Sequence, residues 1–80
     1  MNELDLVDLG FSHCQDVDDY VYPLTDKIRL RCDIRRLRAH VWVEQNTDET
    51  SGKVKELVYM NSFGRLGLVK LVMICNLIKF

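Results

Sequence analysis

Apolar and polar residues alternate most clearly in the middle of the chain. Ile28, Leu30, Cys32 and Ile34 alternate with Arg29, Arg31, Asp33 and Arg35, the two-residue period of a half-buried strand. The phase then slips by one, and Leu37, Ala39, Val41 and Val43 alternate with Arg36, Arg38, His40 and Trp42. A slip of this kind marks a connection or a bulge. Leu30, Ile34, Leu37 and Val41 also fit a helical spacing, but the strand reading accounts for twice as many apolar positions. The pattern predicts two antiparallel strands, 28–33 and 38–45, with a joint at Arg35-Arg36 that is poor turn chemistry.

Other segments follow from local signals. Asn2 suits an N-cap, Glu3 a first helical turn, Gly10 a left-handed C′ position and Phe11 its apolar closing contact, so residues 3–9 read as a short helix with Leu4, Leu6, Val7 and Leu9 on its broad apolar face. Ser12–Asp19 is polar and acidic and reads as a loop, Tyr20–Leu24 as a short strand with Pro23 at an edge or end, and 25–27 as a turn. Gln45–Lys53, written QNTDETSGK, reads as a second loop, and Val54–Met60 as a further strand. Asn61 or Ser62 would cap a final helix over 63–78. The expectation is a single α+β domain over residues 1–80: a short N-terminal helix, a three- to four-stranded antiparallel meander sheet, and an apolar C-terminal helix packed on one face.

Eighty residues allow one domain with a thin stability margin. The net charge of −1 conceals a segregated layout. Residues 1–26 hold seven acids and no base, residues 27–43 six bases and one acid, and residues 44–80 five bases and four acids. The opening MNELDLVDLGF has acids where a secretion signal needs bases, and the greasy run Leu66–Ile78 is interrupted by Lys70 and Asn76, so neither export nor a membrane span is predicted. Three widely spaced cysteines, Cys14, Cys32 and Cys75, fit reduced thiols in a cytoplasmic setting.

No spacing specifies a reaction. Phosphate-binding glycine loops, serine elbows and paired catalytic carboxylates are absent from the sequence. His13, Cys14, Cys32, His40 and Cys75 lack zinc-ligand spacing, and the run Asp16, Asp18, Asp19 and Asp26 fails the calcium-loop pattern. No cofactor or metal is predicted, and no enzyme activity. The candidate contact surface is the polar side of the 28–43 hairpin, where Arg29, Arg31, Arg35, Arg36, Arg38, His40 and Trp42 gather. Lysine or threonine would serve a merely wetted strand, whereas arginine suits planar, bidentate contacts to carboxylates or phosphates. The recipients could be the chain's own aspartates at 16–19, a protein partner, or nucleic acid. A single Trp is short of a base-stacking platform, and the overall acidity lowers attraction to nucleic acid. The C-terminal helix is apolar on more of its circumference than one sheet can cover; either the N-terminal helix and Tyr20 or Tyr22 cover the rest or a second chain does, and the expectation is a homodimer with Leu68, Leu71, Cys75 and Ile78 at its interface.

The L-x-x-L-G-F opening (Leu6-Val-Asp-Leu9-Gly10-Phe11), the Tyr-rich first strand, the Trp-bearing hairpin and the Leu-rich terminal helix together resemble small α+β proteins of phages and other mobile elements. The resemblance is one of layout and carries no catalytic residue. It implies a non-enzymatic accessory or anti-defence protein, such as an anti-CRISPR inhibitor, that acts by occupying a protein partner's surface. A small nucleic-acid-binding module using the 28–43 hairpin is the other reading.

Overall fold

The computed structural model describes residues 2–49 and 52–78. Helix α1 (Glu3–Asp8) is followed by strands β1 (Ser12–Cys14), β2 (Asp19–Pro23), β3 (Ile28–Arg35), β4 (Arg38–Glu49) and β5 (Gly52–Phe63), and then by helix α2 (Arg65–Ile78). The strands form one antiparallel sheet in sequence order, β1 to β5. The architecture is α+β as the pattern predicts, with five strands where three to four were expected.

The extra pairing arises where both expected loops turn out to be strand. Ser12–Cys14 pairs with β2, Ser12 opposite Val21 and Cys14 opposite Asp19. Gln45–Glu49 and Gly52–Lys53 continue the β4–β5 ladder as far as Glu49 opposite Gly52. This end runs past β3, whose first residue Ile28 faces Gln45. Main-chain pairing by itself demands no apolar alternation, so this part of the ladder leaves no period in the sequence. The register sets position 48 opposite position 53.

Helix α1 closes as its sequence dictates. The Asn2 side chain accepts from the Asp5 amide while the Asp5 carboxylate accepts from the Asn2 amide, a reciprocal capping box. At the other end the Phe11 amide donates to the Leu6 carbonyl and the Gly10 amide to that of Val7, the pair of bonds that defines a Schellman stop. Gly10 has φ +105°, and a Cβ there would stand 3.0 Å from the Tyr22 ring, so both conformation and space require glycine. The predicted four-residue apolar face narrows: Leu6 is buried and Leu9 packs beside it, while Leu4 and Val7 are exposed.

Both helices cover the same side of the sheet. Leu6 and Phe11 from the α1 region, and Leu68, Val72 and Cys75 from α2, pack on Tyr22, Leu30, Cys32, Ala39 and Val41. The Phe11 and Tyr22 rings meet at 5.3 Å, and the Tyr22 hydroxyl donates to the Asn76 side-chain carbonyl. These sheet residues are the apolar set of the alternation. Leu37 is the exception, since it is a turn residue and exposed. Helix α2 starts later than predicted. Ser62 and Phe63 still pair with His40 and Ala39, and Gly64 alone joins strand to helix, its carbonyl accepting from the Leu68 amide.

Most of the residues expected at a dimer interface are taken up within the chain. Leu68 and Cys75 are buried in the chain's own core and Leu71 packs against it, because α2 turns this side toward the sheet. Leu68 and Cys75 are therefore not free to meet a second chain, whereas Leu71 is only partly buried. The Ile78 side chain lies outside the described residues.

Candidate functional site

The face of the sheet away from the helices collects the polar half of the alternation. Arg29, Arg31, Asp33 and Arg35 of β3 stand opposite Glu44, Trp42, His40 and Arg38 of β4. Arg36 is not on this face. It occupies the two-residue turn with Leu37, both with positive φ, +53° and +63°.

At the centre lies Glu44, only 1% exposed although no helix covers it. Neighbouring cations close over it. Arg29 donates from Nε at 2.7 Å and from Nη2 at 3.4 Å, a two-pronged contact between facing residues of β3 and β4. Arg31 Nε lies 4.0 Å away and Lys55 Nζ 3.8 Å. Burial pushes the Glu44 carboxyl up, but the Arg29 bond and the charges of Arg29, Arg31 and Lys55 outweigh it and hold the group below the usual carboxylate range. The bond to Glu44 also raises the Arg29 guanidinium against the opposing effect of burial.

The remaining arginines are also taken up. Arg31 donates to Asp19 at 2.7 and 3.1 Å. Arg35 donates to Asp33 at 2.7 Å, and Arg38 to the Ser62 hydroxyl and carbonyl. One of the predicted recipients is therefore real: the acidic N-terminal third supplies Asp19. Asp18 goes elsewhere, 3.1 Å from His13 Nε2.

Beside the charged centre, three rings meet. Trp42 packs edge-on against Tyr59 at 5.4 Å, and His40 lies 6.4 Å from Trp42 and 6.1 Å from Tyr59. His40 Nδ1 shares a 3.0 Å hydrogen bond with the Tyr59 hydroxyl. A β-bulge makes the cluster. Val41 faces Asn61 while Trp42 faces Tyr59, which leaves Met60 as the extra residue. In an unbroken register Met60 would face Trp42, and Tyr59 would face Val43 on the helix side. Tyr59, Glu44 and Lys55 belong to the site and escape a reading confined to 28–43. Only the Tyr59–Trp42 register, set by the bulge, could have pointed to the first.

Burial, followed by the Asp33 and Asp19 charges, raises the Cys32 thiol to about 12, and burial raises Cys75, so neither is a ready nucleophile. No three His, Cys, Asp or Glu side chains among the described residues gather as metal ligands. A cleft of about 220 Å³ beside Asp18, Asp19 and Asp33 is smaller than the roughly 300–1,000 Å³ of ordinary ligand pockets. No helix among the described residues is long and apolar enough to cross a membrane. Comparison with protein-family models, with curated proteins and with solved structures finds no match to this chain.

Proposed function

We propose that the chain is a non-enzymatic interaction protein that holds a protein partner on the open face of its sheet, in keeping with the accessory or anti-defence role its layout implies. The observation that carries this reading is the Trp42–Tyr59–His40 cluster, rimmed by arginines already paired to carboxylates of the same chain. Trp, Tyr and Arg dominate the energetic centres of protein interfaces. Guanidiniums fixed in ion pairs present donors in set positions, so little freedom is lost on docking. Phosphates would have to displace those carboxylates, which favours protein over nucleic acid.

The second reading, a nucleic-acid module, has one specific support: the bulge adds Tyr59 to the Trp42 and His40 rings, which brings the face closer to a stacking platform than the sequence offered. Immobilised wild type and Trp42→Ala, challenged with native host lysate before and after nuclease treatment, separate the two. Capture of a protein that survives nuclease and raised salt, and that is lost with Trp42→Ala, supports the proposal. Capture abolished by nuclease and falling steeply with salt supports the alternative. Equal capture by both baits overturns the assignment of the face.

A further inference from the structure

Charge is unevenly compensated along the open face. Among the described side chains, Glu44 is matched by Arg29, Asp19 by Arg31 and Asp33 by Arg35. Arg38 is left over. It is exposed, and the residue facing it across the β3–β4 pair is another cation, Arg35. Its Nε donates to the Ser62 hydroxyl at 3.2 Å and its Nη2 to the Ser62 carbonyl at 3.0 Å. Both acceptors are neutral, so they fix the guanidinium in place without cancelling its charge. Like charges directly opposite each other destabilise a strand pair, and of these two only Arg35 has a carboxylate for relief. A further carboxylate arriving at Arg38 therefore gains a held donor and removes a repulsion.

Arg38 also heads a row. Arg38, His40, Trp42 and Glu44 are alternate residues of β4, so they stand on one face at steps of about 7 Å. The row runs from the uncompensated cation, over two rings joined by Tyr59, to a carboxylate already caged by cations. Tyr59 is 49% exposed, and His40 and Trp42 are half-buried, so the rings have surface left to cover. The complement of this row carries a negative charge at one end only. A nucleic-acid strand has a phosphate at every step and would bring anions against Asp33 and Glu44 as well as to Arg38. A polypeptide sets its charge residue by residue.

We propose that the partner held on this face presents an acidic–apolar segment: one Asp or Glu on Arg38, and an apolar or aromatic side chain about 7–14 Å away on the Trp42–Tyr59–His40 rings. This rests on the protein-binding reading of the face and narrows it to a chemistry and a direction along β4.

Selection from a library of random peptides of about eight residues, long enough to span the row in extended form, tests it without knowledge of the natural partner. The wild-type chain enriches peptides with Asp or Glu within about four residues of an aromatic or leucine side chain. The best of these, made synthetically, changes the emission of Trp42, the sole tryptophan. Its Kd rises about tenfold or more with Arg38→Glu and less with Arg38→Gln, while both variants keep the wild-type circular dichroism spectrum, as exposed positions usually allow. Enrichment of basic or uncharged peptides, or of acidic ones indifferent to both Arg38 changes, overturns the inference. If those peptides still need Trp42, the face remains a protein-binding surface and only the chemistry assigned to it falls; if they need neither residue, both readings fall. An oligothymidine that displaces the selected peptide and binds more tightly than it overturns the inference in favour of nucleic acid. A library that yields no binder overturns it as well, and the lysate capture then decides whether the face holds protein at all.

Discussion

The two faces of the sheet are built from alternate residues of the same strands and are held by different physics. On the helix side, Leu30, Cys32, Ala39 and Val41 are buried against Leu6, Leu68 and Val72, and the gain is the non-directional burial of apolar area. On the open side, a carboxylate as buried as any of these is kept ionised by Arg29, Arg31 and Lys55. There the gain depends on geometry and on every partner being present. The inner face tolerates any apolar residue of the right volume. The outer face specifies particular side chains, which is the property a contact surface needs.

The contrast is sharpest when each centre is truncated. Leu30→Ala is expected to lower unfolding stability by about 2–5 kcal/mol, the range for a leucine lost from a filled core. Glu44→Ala should cost less, about 1–3 kcal/mol, because Arg29 and Arg31 are partly exposed and can turn to water. Glu44→Leu should cost less again, since a well-packed apolar residue often replaces a buried ion pair at little expense. Denaturant midpoints of the three variants check the order. A Glu44→Leu loss larger than that of Leu30→Ala would show that the ion cluster, and not the apolar face, holds the sheet together.

Acid separates the faces without mutation. The folded-state value of Glu44 is depressed, so its contribution to stability is fully present above the unfolded carboxylate value of about 4.3. That contribution is lost as pH falls through the folded value. The gap in stability between wild type and Glu44→Gln should therefore be constant near neutrality and shrink below about pH 4, whereas the gap for Leu30→Ala should not follow this titration. Thermal melts from pH 7 downwards read both. A Glu44→Gln gap that widens in acid would contradict the direction of the shift.

Faces were legible in the sequence and partners were not. The alternation over 28–43 assigned every inner residue except Leu37, because burial repeats every two residues. The two ends of α1 were legible because Asn2 at its start and Gly10 and Phe11 at its stop act on their own neighbours; the Asp5 half of the capping box was not read. The far end of the β4–β5 ladder was not, since main-chain pairing by itself imposes no period on the side chains. Nor was the Glu44 cage, whose members come from β3, β4 and β5 and meet only through register. The breadth of apolar residue around α2 was visible, but which side the sheet would take was not. For that reason Leu68 and Cys75, which the core takes up, were expected at an interface.

The smallest effect concerns the turn at which the two faces exchange strands. Arg36 and Leu37 are its two central residues, and both adopt positive φ, as the turn that matches strand twist in a two-residue hairpin requires. Asn-Gly is the usual occupant. Arginine and leucine there carry a steric cost that asparagine and glycine avoid. Leu37 recovers little by packing, since it is 73% exposed. The double change Arg36→Asn, Leu37→Gly should raise stability by about 1 kcal/mol, the left-handed strain removed being partly offset by glycine's greater freedom in the unfolded chain. It leaves the Arg35–Asp33 and Arg38–Ser62 contacts in place, so the open face should keep its binding while the fold gains. A midpoint that rises with capture unchanged sets the turn apart from the contact surface. Lost capture at raised stability would extend that surface to the tip of the hairpin, and a lowered midpoint would mean that the Arg36 and Leu37 side chains support the fold.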